Sequence, residues 1–260
     1  MKEVLQALIF DVDGTLADTE RDGHRVAFNL AFQQAGLDWD WSVELYEKLL
    51  AVTGGKERIR YYLDNFNTDF QRPEQLDNFI AGLHRSKTDH YTRLLGEGKI
   101  PLRPGVERLL REAKDKGLRL AIATTTTPAN VQALLINTLG DDSESWFEVI
   151  AAGDIVPAKK PAPDIYTYAM EKMNLTPQQC IAFEDSENGI KSSQGAGLAT
   201  IITTNVYTHD HDFTNAVLVI DNMGEPEQPF NVLAGDKNLV NGSTCLDVDL
   251  VTRLFKRRLG

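Results

Sequence analysis

The sequence predicts an α/β fold: a doubly wound parallel sheet with an inserted helical domain. Three observations point to it. From residue 98 onward, short apolar runs alternate with amphipathic helical segments, the pattern of successive β-α-β units. A block at residues 18–96 has almost only helical signals and separates the first apolar run from the others. Several runs end in polar, chemically capable residues, and open parallel sheets bind ligands at the carboxyl ends of their strands.

Residues 4–10 form an apolar run that ends in acids and Gly14, and its length fits a buried strand better than a helix. In the inserted block, Phe28, Ala31, Phe32 and Ala35 recur at i, i+3, i+4 and i+7, and Gly36 follows as a stop. Residues 45–51, 58–65 and 74–94 suggest further helices. Pro101 and Pro104 punctuate the return, and Val106, Leu109, Leu110 and Ala113 mark an amphipathic helix ending at Gly117. Residues 118–123 read as a strand followed by a threonine cluster, 129–139 as a helix and 147–151 as a strand. After a proline-rich turn comes a helix carrying Ile165, Tyr168, Ala169 and Met173, then a strand at 180–183 and a helix at 189–196. Residues 198–202 and 217–220 are further strands, 224–241 is turn-rich, and 247–257 reads as a terminal helix. The expected organisation is a Rossmann-like core at 1–17 and 97–260 with a helical domain at 18–96.

Composition restricts the partners. The 260 residues carry 27 Lys+Arg against 38 Asp+Glu, a net charge of −11. Such a chain is a poor general binder of nucleic acid or anionic membrane. No apolar run approaches the length that spans a bilayer, and the start MKEVLQALIFDVDG is too short and too soon acidic for a signal peptide. Hydrophobic residues at 42% are enough to build a core. Cys180 and Cys245 form no metal-type spacing and no disulfide framework. The expectation is a monomer in a reducing compartment, the cytoplasm first and the plastid stroma second, with a small molecule as partner.

Four strand ends carry the chemistry. The first is Asp11-Val12-Asp13-Gly14-Thr15, with two carboxylates at i and i+2, one suited to nucleophilic attack and the other to general acid–base work. The second is the hydroxyl run Thr124 to Thr127 before a helix start, suited to an oxyanion or phosphate. The third is Lys159-Lys160-Pro161-Ala162-Pro163-Asp164, where a lysine in a proline-rigid turn offers phosphate a fixed positive charge. The fourth is Glu184-Asp185-Ser186, paired acids that suit a hard cation such as Mg²⁺. Each alone is an ordinary turn or cap; their occurrence together, in order, each after a strand, sets them apart.

With these four motifs the chain resembles the haloacid dehalogenase superfamily of phosphohydrolases over nearly its whole length, and the helical insertion resembles that family's small cap. Within it the chain is similar to the CbbY-like group, particularly plant and cyanobacterial members, through DTERDGHRVAFN (18–29), TGGKER (53–58), IAGLHRSKT (80–88) and PLRPGV (101–106). The resemblance implies a sugar-phosphate phosphatase, with xylulose-1,5-bisphosphate, a misfire product and inhibitor of Rubisco, as the specific expectation. It implies Asp11 as nucleophile and Asp13 as acid and base. It places Mg²⁺ on Asp11, the Asp13 carbonyl and Asp185, with Glu184 as ligand or close support. Thr124 and Lys160 would bind the transferring phosphoryl group, with Thr125 beside them, although the run leaves open which hydroxyl makes contact. The family often has serine where this chain has Thr124, and the hydroxyl is kept.

In the cap, Gly54 and Gly55 permit close backbone approach, while Lys56 and Arg58 supply donors. Lys56 is the first choice for a second phosphate, ahead of Arg85 and Lys87, for which a solvated helix face is the stronger reading. Glu20, His24 and Tyr46 could meet sugar hydroxyls, and ordinary helix packing explains His24 and Tyr46 equally well. Trp39 and Trp41 read as cap core. Opening and closing of the cap would admit substrate and shut out water. Related caps also serve a phosphoglucomutase and phosphoglycolate or broad-specificity phosphatases. A non-catalytic sugar-phosphate-binding module is the alternative of another class; intact Asp11, Asp13, Lys160, Glu184 and Asp185 argue against it.

Overall fold

The computed structural model describes residues 4–52 and 54–257; Thr53, the first residue of the TGGKER motif, lies outside them. Strands covered by helices on both faces must be apolar on both, and this accounts for the burial of β1 (Ala7–Phe10), β4 (Cys180–Glu184) and β5 (Ala199–Thr203) at every position. With β2 (Arg119–Thr124), β3 (Phe147–Ala152), β6 (Leu218–Ile220) and β7 (Val232–Gly235) they form one sheet, in the order β3-β2-β1-β4-β5-β6-β7. All neighbouring pairs are parallel except β6 with β7. The order runs outward from β1 in both directions, which makes the β1/β4 boundary the switch point where α/β proteins bind ligands. Phe10 pairs in register with Phe183, so the acids after each strand emerge side by side.

The chain divides into two compact units, Met1–Asp18 with Pro101–Gly260, and Thr19–Ile100. Against the expected boundaries, Asp18 stays with the sheet because its carboxylate pairs with Arg103 at 3.2 Å. Residues 97–100 stay with the helical unit, where Glu97, Gly98 and Lys99 close the end of its last helix by backbone bonds to Arg93, Leu95 and Leu94.

The helical unit contains α1 (Arg25–Gln34), α2 (Val43–Leu49), α3 (Gly55–Asn65) and α4 (Leu76–Gly96). Its core is aromatic. The Trp41 ring lies 4.7 Å from Phe28 and 4.8 Å from Phe32, and Trp39 packs edge-on against Phe32 and Phe70. Such rings bury large apolar areas at favourable tilted geometries, and both tryptophans are core, as expected. Unexpected from sequence is a wide π-helical turn, Thr19–His24, that leads straight into α1.

The sheet unit contains α5 (Val106–Asp115), α6 (Pro128–Leu139), α7 (Asp164–Met173), α8 (Glu187–Gly195), α9 (Lys237–Val240) and α10 (Val248–Arg257). α5 buries the stripe that periodicity marks, Val106, Leu109, Leu110 and Ala113. α6 starts on Thr127, which caps the Asn130 N–H, with Pro128 in its first turn. α7 packs on small strand residues, Ala121, Ala123, Ala151 and Ala182. Its buried face is Ile165, Tyr166, Ala169, Met170 and Met173; Tyr168, expected on this face, is half-buried and packs against the same cluster. The turn-rich region holds an unforeseen strand, β7, because four residues without alternation give no period to read. The first strand starts at Ala7, not at residue 4.

Candidate active site

Beyond β1, the Val12 carbonyl accepts from Leu16 N–H at 2.9 Å and Gly14 N–H donates to Ala17 at 2.7 Å. This tight loop places Asp11 and Asp13 on one cleft of about 260 Å³, lined also by Thr125, Lys160, Glu184, Asp185, Ser186 and Asn188. Gly14 is required here: its φ is +82°, and a Cβ would collide with the Asp185 carboxylate and the Asn205 amide. Gly189 is constrained by space alone, since a Cβ would strike the Glu184 carboxylate.

Lys160 crosses 149 residues of sequence to donate to Asp11 Oδ1 at 2.6 Å, and it reaches Glu184 Oε1 at the same distance. The Tyr166 hydroxyl donates to that Glu184 oxygen at 2.5 Å. Asp185 Oδ2 accepts from Asn205 Nδ2 at 2.7 Å. Burial alone would lower the Lys160 pKa, but Asp11 and Glu184 outweigh it and hold the ammonium above its ordinary range. Glu184 is pushed up to about 7 by burial and the nearby Asp11, against the restraint of Lys160 and Tyr166. Burial, Asp11 and Glu184 raise Asp185 well above its usual range, opposed by Arg103 and Asn205.

The donor set fits a hard divalent cation. Asp11, Glu184 and Asp185 are buried and each offers an oxygen within 4.8 Å of the others. One ammonium in contact with this set leaves a surplus of negative charge that the protein resists by raising carboxyl pKa values. Oxygen ligands of this kind are what Mg²⁺ takes. Asp13 contributes no carboxylate to the group of three.

Of the threonine run, Thr125 lines the cleft, while Thr124 is fully buried with its hydroxyl accepting from Thr126 N–H at 3.3 Å. Thr127 is occupied as a helix cap.

The helical unit gathers a second group. Tyr46 donates to Glu20 at 2.6 Å, Arg58 donates to the Tyr46 hydroxyl at 2.6 Å and lies 3.8 Å from Glu20, and Lys87 Nζ is 2.7 Å from His24 Nδ1. His24 also stacks on Tyr91. Burial, with Lys87 and Arg58 nearby and Glu20 opposing, lowers the His24 pKa to about 4, so the ring is neutral at ordinary pH. Glu20 lies below its usual range, because His24, Arg58, Tyr46 and Lys87 outweigh burial. The solvated reading of Lys87 is corrected: it is buried, with Nζ 5.1 Å from the Phe28 and Tyr91 ring centres. Arg85, Lys56 and Gly54 are exposed and stand outside this group, and Gly55 abuts the His84 ring. Gly54 has φ +97° and precedes α3.

Sequence reasoning missed Tyr166, Asn188, Asn205 and any role for Arg103. Tyr166 had a signal: Ile165, Ala169 and Met173 at i, i+4 and i+8 place it on the inner flank of α7. Asn205 had none.

Residues 5–197 match the family described as haloacid dehalogenase-like hydrolase. Protein CbbY (plasmid) of Cupriavidus necator is 46% identical over 225 residues, which cover 86% of this chain and 88% of that protein. Protein CbbY of Rhodobacter capsulatus is 50% identical over 212 residues, 82% of this chain and 91% of its own. Among solved structures, a CbbY mutant from Rhodobacter sphaeroides in complex with xylulose-(1,5)bisphosphate matches with a TM-score of 0.68 at 45% identity, over 84% of this chain and 95% of that one.

Proposed function

The chain belongs to the haloacid dehalogenase-like hydrolases and is a phosphatase, and from that premise we propose that it hydrolyses sugar phosphates with Mg²⁺ through an aspartyl-phosphate on Asp11, xylulose-1,5-bisphosphate being the preferred substrate. The observation that carries this reading is the buried cleft where Asp11 meets Lys160 at 2.6 Å beside Glu184 and Asp185. The sugar follows from the similarity to a CbbY structure that holds xylulose-(1,5)bisphosphate.

In the proposed reaction Asp11 attacks phosphorus, splitting one difficult displacement into two. Asp13, on the same cleft, gives a proton to the leaving alkoxide and later takes one from the hydrolytic water. Lys160 keeps its proton, so it serves phosphoryl oxygens as a fixed charge and not as an acid. Thr125 and the N–H groups after Thr124 supply further donors. Asp11, Asp185 and the Asp13 carbonyl, supported by Glu184, would hold Mg²⁺, which offsets the repulsion between carboxylates and phosphate. In the helical unit, Arg58 and Lys87 against Glu20, with a neutral His24, leave local positive charge. Within the helical unit, Arg58 and Lys87 are the proposed donors to an anionic group and Glu20 and His24 the proposed partners of hydroxyls, Lys87 ahead of Lys56 because it is buried beside His24.

A panel of phosphate esters with Mg²⁺, scored by kcat/KM, tests the reading. Xylulose-1,5-bisphosphate should exceed monophosphates by at least about tenfold. A flat profile rejects a dedicated bisphosphatase, and isomerised sugar phosphate without phosphate release indicates a mutase. Binding without turnover returns the non-catalytic module.

A further inference from the structure

Arg103 lies just inside the second segment of the sheet unit and is buried, at 7% exposure. A buried guanidinium is tolerated only when its donors are met. Here Nη1 donates to the Gly14 carbonyl, to the Thr203 carbonyl at 2.9 Å and to the Thr203 hydroxyl at 3.1 Å. Nη2 donates to the carbonyls of Thr204 at 2.5 Å and Asp221 at 2.7 Å. Nε lies 3.2 Å from the Asp18 carboxylate. The main-chain acceptors come from three places: the loop after β1, the end of β5 and the end of β6. Neutralising Asp18 would need none of them; the planar five-donor fork of arginine is what joins all three.

The gripped residues adjoin the acid cluster. Gly14 follows Asp13, and Thr204 precedes Asn205, whose amide donates to Asp185 at 2.7 Å. Gly14, Asp185 and Asn205 are in such close apposition that a Cβ on Gly14 has no room. We infer that Arg103 is a positioning residue for the metal-binding carboxylates: by holding the Asp11–Gly14 loop against the ends of β5 and β6 it sets the separation of Asp11 and Asp13 from Asp185, and with it the affinity of the cleft for Mg²⁺. This rests on the Mg²⁺-dependent function proposed above. Oxygen cages around Mg²⁺ demand near-ideal geometry, and groups that orient the ligands change metal affinity by about 10–100-fold when altered.

The test is Arg103→Lys, which keeps the charge but not the fork. Mg²⁺ binding to the metal-free protein is measured by calorimetry, alongside melting temperature and steady-state kinetics. The expected result is a folded variant with Mg²⁺ affinity reduced at least about tenfold, a lower kcat recovered in part at high Mg²⁺, and an unchanged KM for the ester. A folded R103K with Mg²⁺ affinity and kcat within twofold of wild type overturns the inference, as does a change confined to the ester KM. If R103K does not fold, Thr203→Val decides, because it leaves the guanidinium, its charge and Asp18 in place and removes an acceptor of the grip at the end of β5. An approximately threefold or greater loss of Mg²⁺ affinity supports the inference, and unchanged affinity overturns it. Wild-type protein that turns over esters without binding Mg²⁺ refutes the proposed metal dependence itself, a result separate from equal binding by both proteins.

Discussion

Asp11, Asp13, Lys160, Glu184 and Asp185 were readable as candidates because each follows an apolar run, and a strand end in a parallel sheet is where ligands bind. For Tyr166 the periodicity of α7 marked an inner flank but not a role as donor to Glu184, and Asn205 and Arg103 belong to none of the four motifs, so their contacts 20 and 89 residues away emerge only in the fold. Asp11→Asn should lower Mg²⁺-dependent turnover by at least about a thousandfold with an unchanged fold; phosphate release together with circular dichroism checks this, and retained turnover removes Asp11 as nucleophile. Tyr166→Phe takes one donor from a buried carboxylate, and hydrogen bonds to charged groups contribute about 1.5–3 kcal/mol. We expect a stability loss of that size in denaturant titration, and a lower kcat with KM little changed. His24 has its pKa lowered to about 4 from 6.5, so the unfolded chain binds the proton more readily between those values. Stability from this group is therefore full above about pH 6.5 and is lost as pH falls toward 4. His24→Gln should flatten that limb in a series of melting temperatures against pH.

Among the elements, helices with a regular stripe were legible, as α5 shows, and so were strands buried on both faces, such as β4 and β5. β7 was hidden in turn-forming sequence, and the π-helical turn at Thr19–His24 reads like any helix start. The terminal helix α10, foreseen without a role, buries Leu250, Val251, Leu254 and Phe255 and is tied to α5 through Val248 N–H to Glu112 at 3.2 Å and Lys116 to Asp249 at 2.8 Å. It is a structural cover of the sheet unit, and none of its residues lines the catalytic cleft. Phe255 is fully buried, so Phe255→Ala should cost about 3–5 kcal/mol. Chemical denaturation would show the loss, while kcat of the folded enzyme stays near wild type. A matching loss of kcat would give α10 a part in the site.

For the whole molecule, the net charge of −11 makes the chain as a whole repel anions, yet the balance in the cleft decides the chemistry. In metal-free protein Glu184 and Asp185 have raised pKa values. Their contribution to stability is full below about pH 4.5 for Glu184 and below about 3.8 for Asp185, and is lost as pH rises through about 7 for Glu184 and through the raised Asp185 value. Mg²⁺ competes with those protons, so it should raise the melting temperature more at pH 8 than at pH 5; an equal rise at both values would contradict a carboxylate cation site. The sequence by itself determined the α/β class, the helical insertion and the family, because periodicity and strand-end motifs are local and survive without coordinates. Only the tertiary structure decided that β4 lies beside β1, that Lys160 joins Asp11 to Glu184, that Lys87 is buried against His24, and that Arg103 grips three loops. Those facts depend on which distant segments share the low-dielectric interior, where each buried charge must find its partners.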